Sequence, residues 1–367
     1  MQEKDGKVTN ILTVHHPNII FFSFKKKKER IYIDVVDKWW ERPKRTKRIN
    51  NKAMNKEWTE KGFVDEPVDE SIDLKKEIRR LCKEKDAVLL AHYYTVGEVQ
   101  EVADFIGDSL ACGVHFMAET CKLLSPEKKV LCPDLTAGCS LADSCKAEDL
   151  KEFKEQHPGY KVVSYVNTTA AVKALTDVVV TSGNAEKVMA SFPKDEKIIF
   201  GPDYNLGNYI NSVSGRQMLL WNGGCHVHEK FSVEAIVKLK EEHPEAVVMA
   251  HLECKAPVLA VADVKGSTAA MLNYAKAHPE TKEYIIATEA GILHELQRSC
   301  PDVTFYPVPP EVSEGGVGCS CNECEYMKKN TLKKIYNTLR YEWPSVEVDP
   351  EIARDAVKPI ERMLELS

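Results

Sequence analysis

The sequence predicts a three-layer α/β fold in which three related units, each with a short parallel sheet, surround one central site. Two observations carry this prediction: short apolar strands recur along the chain, and polar residue types recur at fixed offsets from them. The strands are expected at residues 88–94, 162–167 and 247–253. A helix should precede each strand, because residues 74–82 keep helical spacing and a His-Pro pair closes the other two helices at 157–158 and 243–244.

The predicted units divide the chain into four parts. Residues 1–69 form a basic N-terminal extension, 70–150 the first unit, 151–235 the second, and 236–367 the third with C-terminal helices. Units of this size are typical of compact domains.

Polar side chains recur in all three units when His92, Tyr165 and His251 are aligned as position zero. The recurring residues are Tyr94, Asn167 and Glu253 at +2, Asp104, Asp177 and Asp263 at +12, and Ser109, Ser182 and Thr268 at +17. Positions zero and +2 share one face of a strand at its carboxyl end, where open α/β sheets bind ligands. We therefore expect the three pairs to line one pocket, with structural aspartates at +12. The +17 hydroxyls should stand at helix starts, where capping and anion binding are compatible.

One cysteine follows the last strand of each unit, at Cys139, Cys225 and Cys324. Structural zinc normally takes four protein ligands, whereas a [4Fe–4S] cluster held by three cysteines keeps one iron open to act as a Lewis acid. Three converging thiolates therefore favour the cluster. An alternative is a zinc site formed by Cys300, Cys319, Cys321 and Cys324. Oxidation could also pair Cys321 with Cys324.

Composition excludes several classes of protein. The chain of 367 residues is 43% hydrophobic and 29% charged, which suits a folded core rather than disorder. No run approaches the ~18 apolar residues of a membrane span, and the polar start resembles no secretory signal, so a cytoplasmic protein with reduced thiols is expected. Residues 1–60 hold 15 Lys+Arg against 8 Asp+Glu, whereas residues 61–367 hold 35 against 48. The acidic body argues against nucleic acid as the main partner.

From about residue 70 to the end, the chain resembles the quinolinate synthase family, the A protein of bacterial NAD biosynthesis. The motifs that carry the resemblance are Ala-His-Tyr-Tyr at 91–94, Ala-Asp-Phe-Ile-Gly-Asp-Ser at 103–109, Asp-Leu-Thr-Ala-Gly-Cys at 134–139, Tyr-Val-Asn-Thr at 165–168, Thr-Ser-Gly-Asn at 181–184, Gly-Cys-His-Val-His at 224–228, His-Leu-Glu at 251–253 and Gly-Ser-Thr at 266–268. The resemblance implies three α/β domains in pseudo-threefold arrangement around one site.

The resemblance also implies an activity: condensation of iminoaspartate with dihydroxyacetone phosphate to quinolinate, phosphate and water. It implies a [4Fe–4S] cluster on Cys139, Cys225 and Cys324, and a functional link to L-aspartate oxidase. The implied substrate-binding residues are His92, Ser109, Tyr165, Asn167, Ser182, His251, Glu253 and Thr268. Tyr94 and Glu253 would move protons, with His251 and Tyr165 beside them as catalytic groups.

The sequence departs from the family in two places. The first unit is 13 residues short, because only Leu110 and Ala111 separate Ser109 from Cys112, where the family has a helix and the start of a strand. Parallel strands need a crossover of roughly a dozen residues, so this unit cannot close its sheet in the usual way. Losing a helix that buries about four large apolar side chains would reduce the stability of the fold by on the order of 8 kcal/mol. An inactive remnant of the enzyme therefore stays open as an alternative. Residues 1–69 match no part of the family; an extra strand or a docking segment is one interpretation of them, and translated non-coding sequence is another.

Overall fold

The computed structural model describes residues 56–108, 112–311 and 322–367. The first unit and the helix before it contain α1 (Lys56–Lys61), α2 (Leu74–Glu84), β1 (Leu90–His92), α3 (Gly97–Val102), β2 (Phe105–Gly107), α4 (His115–Leu124) and β3 (Val130–Leu131). The second unit contains α5 (Ser140–Ser144), α6 (Ala147–Gln156), β4 (Lys161–Tyr165), α7 (Ala170–Lys173), β5 (Val178–Val180), α8 (Ala185–Ala190), β6 (Ile198–Gly201), α9 (Tyr204–Ser214) and β7 (Leu219–Leu220).

A 3-10 turn (His228–Lys230) leads into the third unit. That unit contains α10 (Val233–Glu242), β8 (Val247–His251), α11 (Ala256–Val261), β9 (Val264–Gly266), α12 (Thr268–Ala277), β10 (Glu283–Ala287), α13 (Ile292–Ser299) and β11 (Thr304–Pro307). The C-terminal elements are α14 (Glu325–Lys328), α15 (Leu332–Tyr341), β12 (Ser345–Val346) and α16 (Pro350–Leu366). The α/β class and the helix before each first strand are as the sequence predicts.

The second and third units have the same sheet. Four parallel strands lie in the order β5-β4-β6-β7 in one and β9-β8-β10-β11 in the other. The central strands are apolar and buried on both faces, as in Val162–Val163 and Ile285–Ile286, because helices cover both sides of a parallel sheet.

Within the described residues, the first unit lacks one helix and one strand of this pattern. Its β1 and β2 form a two-stranded parallel sheet, and β3 pairs only with β12, in antiparallel orientation. When the first unit is aligned on the second, β1 corresponds to β4, β2 to β5 and β3 to β7. No described element of the first unit corresponds to α8 or β6. Only residues 108–111 lie between β2 and Cys112, too few for a crossover. The expectation that this unit cannot close its sheet in the usual way is confirmed.

A cavity of about 260 Å³ lies between β1 and β3, where the missing strand would run. Its walls include Leu90 on β1, Leu131 on β3, Cys121 on α4, and Ile335 and Leu339 on α15. The first unit is therefore short of core material at the centre of its sheet.

The C-terminal elements pack on the first and second units. Helix α15 buries Ile335 and Leu339 in the same cluster as Ile78 of α2, and β12 extends β3. Helix α16 places Ile360 and Met363 in the core of the second unit. This longest described helix has 17 residues, and no helix in the described ranges is long and apolar enough to cross a membrane.

The +12 aspartates have the same structural role in each unit. Each side chain accepts a hydrogen bond of 2.8 Å from the backbone N–H three residues before position zero. The pairs are Asp104 with Leu89, Asp177 with Val162 and Asp263 with Val248. Each aspartate directly precedes the second strand of its unit and thus fixes the start of that strand against the first strand, as expected of a structural residue.

Candidate active site

The carboxyl ends of β1, β4 and β8 converge on one pocket. The residues at position zero and +2 of every unit line this pocket, as do the three repeat cysteines. His92, Tyr165 and His251 are each at most 3% exposed, so their polar atoms must find partners within the protein or on a ligand.

A buried hydrogen-bond network is centred on Glu253 and Tyr94. The Tyr165 hydroxyl donates to Oε1 of Glu253 at 2.6 Å, and Nδ1 of His228 lies 3.0 Å from Oε2. Nε2 of His228 lies 2.9 Å from the Thr288 hydroxyl, which is 2.8 Å from the Tyr94 hydroxyl. Groups from all three units therefore form one continuous proton-sharing chain.

The network fixes which groups are charged. Burial alone would raise the pKa of Glu253, but His251, His228 and the hydrogen bond from Tyr165 hold it below its ordinary value. Burial, together with the charge of Glu253, raises the pKa of Tyr94 well above its ordinary value. At neutral pH, Glu253 is therefore a carboxylate that can accept a proton, and Tyr94 is a neutral phenol that can donate one.

The two position-zero histidines are held neutral with a defined tautomer. Burial lowers the pKa of His92 to about 3 and that of His251 to about 4. Nδ1 of His92 accepts the Tyr94 N–H at 3.0 Å, and Nδ1 of His251 accepts the Glu253 N–H at 3.3 Å. The proton of each neutral ring is thus on Nε2, which can donate to a ligand oxygen.

The hydroxyls at +17 differ in placement. Thr268 is the first residue of α12, but Ser267 caps this helix, and the Thr268 hydroxyl lies 2.8 Å from the Tyr94 hydroxyl in the pocket. Ser182 is buried just before α8 and is not among the residues that line the pocket. Ser109 lies outside the described residues. Asn167 does line the pocket, and its buried Oδ1 has no partner within the described chain.

The three repeat cysteines each begin a short helical turn. Cys139 precedes α5, Cys324 precedes α14, and Cys225 precedes the 3-10 turn. Each sulfur faces the backbone N–H groups two and three residues later, which act against the effect of burial. Burial nevertheless raises the pKa of Cys139 to about 12, that of Cys324 to about 11, and that of Cys225 well above its ordinary value. Three half-buried cysteines with matching N–H donors fit a cluster or metal that binds thiolates.

Glu289 joins the third cysteine to the rest of the site. Its carboxylate accepts the Cys324 N–H at 2.9 Å and pairs with Lys328 at 2.9 Å. Lys328 also donates to the Tyr94 carbonyl at 2.8 Å. The ion pair therefore ties Cys324 to the first unit across the pocket.

Sequence reasoning assigned no role to His228, Thr288 or Glu289. His228 stands three residues after Cys225 in a motif that was recognised, so its position was available as a signal. Thr288 and Glu289 directly follow β10, the third strand of the third unit. The residue types aligned across the units stand near the first strand, at +17 and at the repeat cysteines, and Thr288 and Glu289 lie between Thr268 and Cys324.

The chain was compared with known proteins. A family model described as Quinolinate synthetase A protein matches residues 76–365. The quinolinate synthase of Synechococcus sp. is 46% identical over 310 residues, which cover 80% of this chain and 95% of the relative. The quinolinate synthases of Nostoc punctiforme and Chloroherpeton thalassium are each 48% identical over 311 residues, covering 81% of this chain and 94% and 95% of theirs. This chain therefore belongs to the quinolinate synthetase A family.

Proposed function

We propose that this protein is a quinolinate synthase, which condenses iminoaspartate with dihydroxyacetone phosphate to give quinolinate, phosphate and water. The observation that carries the proposal is the central pocket. In a chain of this family, the pocket unites the position-zero and +2 pairs of three units with three cysteines. The shortened first unit still contributes His92 and Tyr94 to it.

Cys139, Cys225 and Cys324 would hold a [4Fe–4S] cluster. They line one pocket, and each sulfur faces two backbone N–H groups of the kind that stabilise bound thiolates. When bound, the cluster would supply a Lewis acid for the loss of water. The zinc alternative has less support, because Cys300 packs in the apolar cluster of α12 and α13, away from Cys324, while Cys319 and Cys321 lie outside the described residues.

The reaction requires proton removal at carbon and proton delivery to leaving oxygen atoms. Glu253 is the proposed proton acceptor, since it is ionised at neutral pH and Tyr165 and His228 orient its two oxygens. Tyr94 is suited to donate, and Thr268 and Thr288 orient its hydroxyl. A proton given up by Tyr94 can be replaced through Thr288 and His228.

The remaining pocket groups are suited to bind substrate oxygens. The Nε2–H groups of His92 and His251 are neutral donors, and the unpartnered Asn167 amide and the Thr268 hydroxyl complete the polar wall. Ser109 and Ser182, which follow the second strands of their units in the sequence, are kept in the proposal as phosphate or carboxylate ligands. Because an imine hydrolyses readily in water, an aspartate-oxidising enzyme such as L-aspartate oxidase would supply the substrate in the cytoplasm.

The division of the chain at residues 69, 150 and 235 is also a proposal. It is supported by the two four-stranded sheets, which fall wholly within 151–235 and 236–367. The boundaries at 150 and 235 fall within α6 and α10, the helices that precede the first strands of the second and third units.

The test is anaerobic reconstitution with iron and sulfide, followed by metal analysis and an assay for quinolinate. We expect about four irons and four sulfides per chain and turnover of both substrates. Cys225→Ala should lose the cluster and the turnover, whereas Cys82→Ala, a control at a buried cysteine of α2, should keep both. One zinc per chain would support the zinc protein. A loaded cluster without quinolinate would support the inactive remnant.

The proton-transfer roles need a separate test. Glu253→Gln and Tyr94→Phe should each keep the cluster and lower kcat by about 10²- to 10⁴-fold, the usual range for a general acid or base. Glu280→Gln, at an exposed carboxylate, is the matched control. Unchanged turnover in Glu253→Gln with a full cluster would overturn its assignment.

A further inference from the structure

Two cysteines outside the central pocket lie close together in the first unit. The sulfurs of Cys112 and Cys121 are 3.0 Å apart, and both residues line the cavity between β1 and β3. Cys112 is half-buried, while Cys121 is buried on α4. Among the described cysteines, this is the one pair whose sulfurs are within hydrogen-bonding distance of each other.

The shortened first unit explains why this pair exists. Cys112 lies three residues before α4, just as Gly201 at the end of β6 lies three residues before α9. Among the described residues of the first unit, no counterpart of β6 precedes this position, and only residues 108–114 separate β2 from α4 in the sequence. Cys112 therefore sits at the mouth of the gap, against Cys121 on the second turn of α4.

We propose that Cys112 and Cys121 are a redox-active dithiol that a small-molecule disulfide converts into an intramolecular disulfide bond. The sulfurs need to approach by only about 1 Å to reach the ~2.05 Å bond length. The apolar cavity beside them leaves room for this movement without displacing a packed side chain. The proposal does not depend on the function proposed above.

The exchange proceeds in two balanced steps. The Cys112 thiolate, on the more exposed residue, attacks the small disulfide, forms a mixed disulfide and releases one small thiol. The Cys121 thiolate then attacks Cys112 within the mixed disulfide and releases the second small thiol. Two protein thiols are oxidised by two electrons, the small disulfide is reduced, and the two thiol protons leave with the released thiols.

The local environment sets the pace of this reaction. The hydrogen bond with Cys121 and burial raise the pKa of Cys112 well above its ordinary value. Because the thiolate is the attacking species, exchange should be slow at neutral pH and should quicken as the pH rises. Helix α4 also presents Phe116 and Met117 to the central pocket. The disulfide bond would therefore link Cys112, beside the cavity, to a helix that lines the central pocket.

The test uses oxidised glutathione on the anaerobic, reconstituted full chain, followed by alkylation and trypsin. Cleavage after Lys85 and Lys122 gives the peptide 86–122, whose cysteines are Cys112 and Cys121 alone. We expect this peptide to escape alkylation at both cysteines, to weigh less by two hydrogen atoms, and to recover both thiols after dithiothreitol. The rate should rise with pH.

Variants make the test specific. Cys121→Ser should stop the reaction at the first step, leaving glutathione attached to Cys112. Cys112→Ser should leave Cys121 free to be alkylated, and Cys82→Ser should not change disulfide formation. Circular dichroism and cluster content confirm that each variant is folded. Full alkylation of the 86–122 peptide in the folded parent chain, or a stable mixed disulfide there while Cys121 is present, would overturn the proposal.

Discussion

The first and second units present equivalent site residues from unequal scaffolds. In the second unit, Tyr165 ends a five-residue strand within a four-stranded sheet; in the first, His92 ends a three-residue strand with one partner. Yet both residues line the same pocket with their +2 neighbours. The site therefore depends on the first strand and the turn after it, and less on the width of the sheet behind them.

The feature that the two units share is the aspartate at +12. Asp104 and Asp177 hold the same backbone N–H, three residues before position zero, at the same distance of 2.8 Å. The two units differ in their hydrophobic cores, because the first unit has a cavity at the position that β6 occupies in the second unit. The comparison predicts that core substitutions should differ between units and that aspartate substitutions should not.

The largest expected difference concerns the residue two before position zero. Met249 on β8 is fully buried, whereas its counterpart Leu90 on β1 already faces the cavity. Met249→Ala should lower the free energy of unfolding by about 2–5 kcal/mol. Leu90→Ala should cost less than half of that, because part of the lost packing is already missing. Urea denaturation measures both, and equal losses would show that the gap is filled in solution.

Two threonines contrast the central pocket with the cavity. The Thr288 hydroxyl bonds to Tyr94 and His228, whereas the buried Thr338 hydroxyl has no partner within the described chain and its residue lines the cavity. Thr288→Val should destabilise the protein by about 1–3 kcal/mol and lower turnover. Thr338→Val should be neutral or slightly stabilising. Thermal denaturation and the quinolinate assay check both, and a larger loss from Thr338→Val would reverse the contrast.

The pH dependence of stability should be shared by the first and third units. The folded pKa values of His92 and His251, about 3 and about 4, lie below the ordinary 6.5. The unfolded chain then binds more protons than the folded chain, so stability is full above 6.5 and falls as the pH drops below it, by about 1 kcal/mol per pH unit for each histidine. His92→Gln and His251→Gln should each reduce this slope in Tm measurements. An unchanged slope in both would contradict the burial argument.

The smallest expected effects are those of the +12 aspartates. Asp104→Ala and Asp177→Ala should each cost about 1 kcal/mol, because each removes the partner of one backbone N–H near the surface. Asp195→Ala, at an exposed position, is the control. Denaturation midpoints compare the three variants. A cost for Asp177→Ala with none for Asp104→Ala would mean that the turn of the first unit is held differently.

The sequence predicted the parts of the site that repeat. His92, Tyr165 and His251 could be aligned because each ends a first strand, and alternation along the strand then placed the +2 residues in the pocket. Thr288 could not be found this way, because its match by strand register in the second unit is Pro202, which has different chemistry.

The repeat pattern also could not predict where the C-terminal helices pack. Helix α15 lies against α2 and closes one side of the cavity, a contact between residues about 250 positions apart that no local pattern encodes. The 13-residue deficit predicted an open sheet. It could not show that β3 would pair with β12, because that strand has only two residues.

The central claim is that the first unit supports its share of the site without a counterpart of β6. Amide hydrogen exchange tests this claim most directly. Lys161 donates its N–H to Lys197, so alternate residues of β4, including Val163 and Tyr165, direct their N–H groups toward β6. The matching amide of Leu90, which lines the cavity, points away from β2, because the neighbouring Leu89 N–H points to Asp104 beside β2. We predict that the Leu90 amide exchanges at least tenfold faster than those of Val163 and Tyr165. Equal protection in both strands would contradict the account and show that another strand occupies the gap.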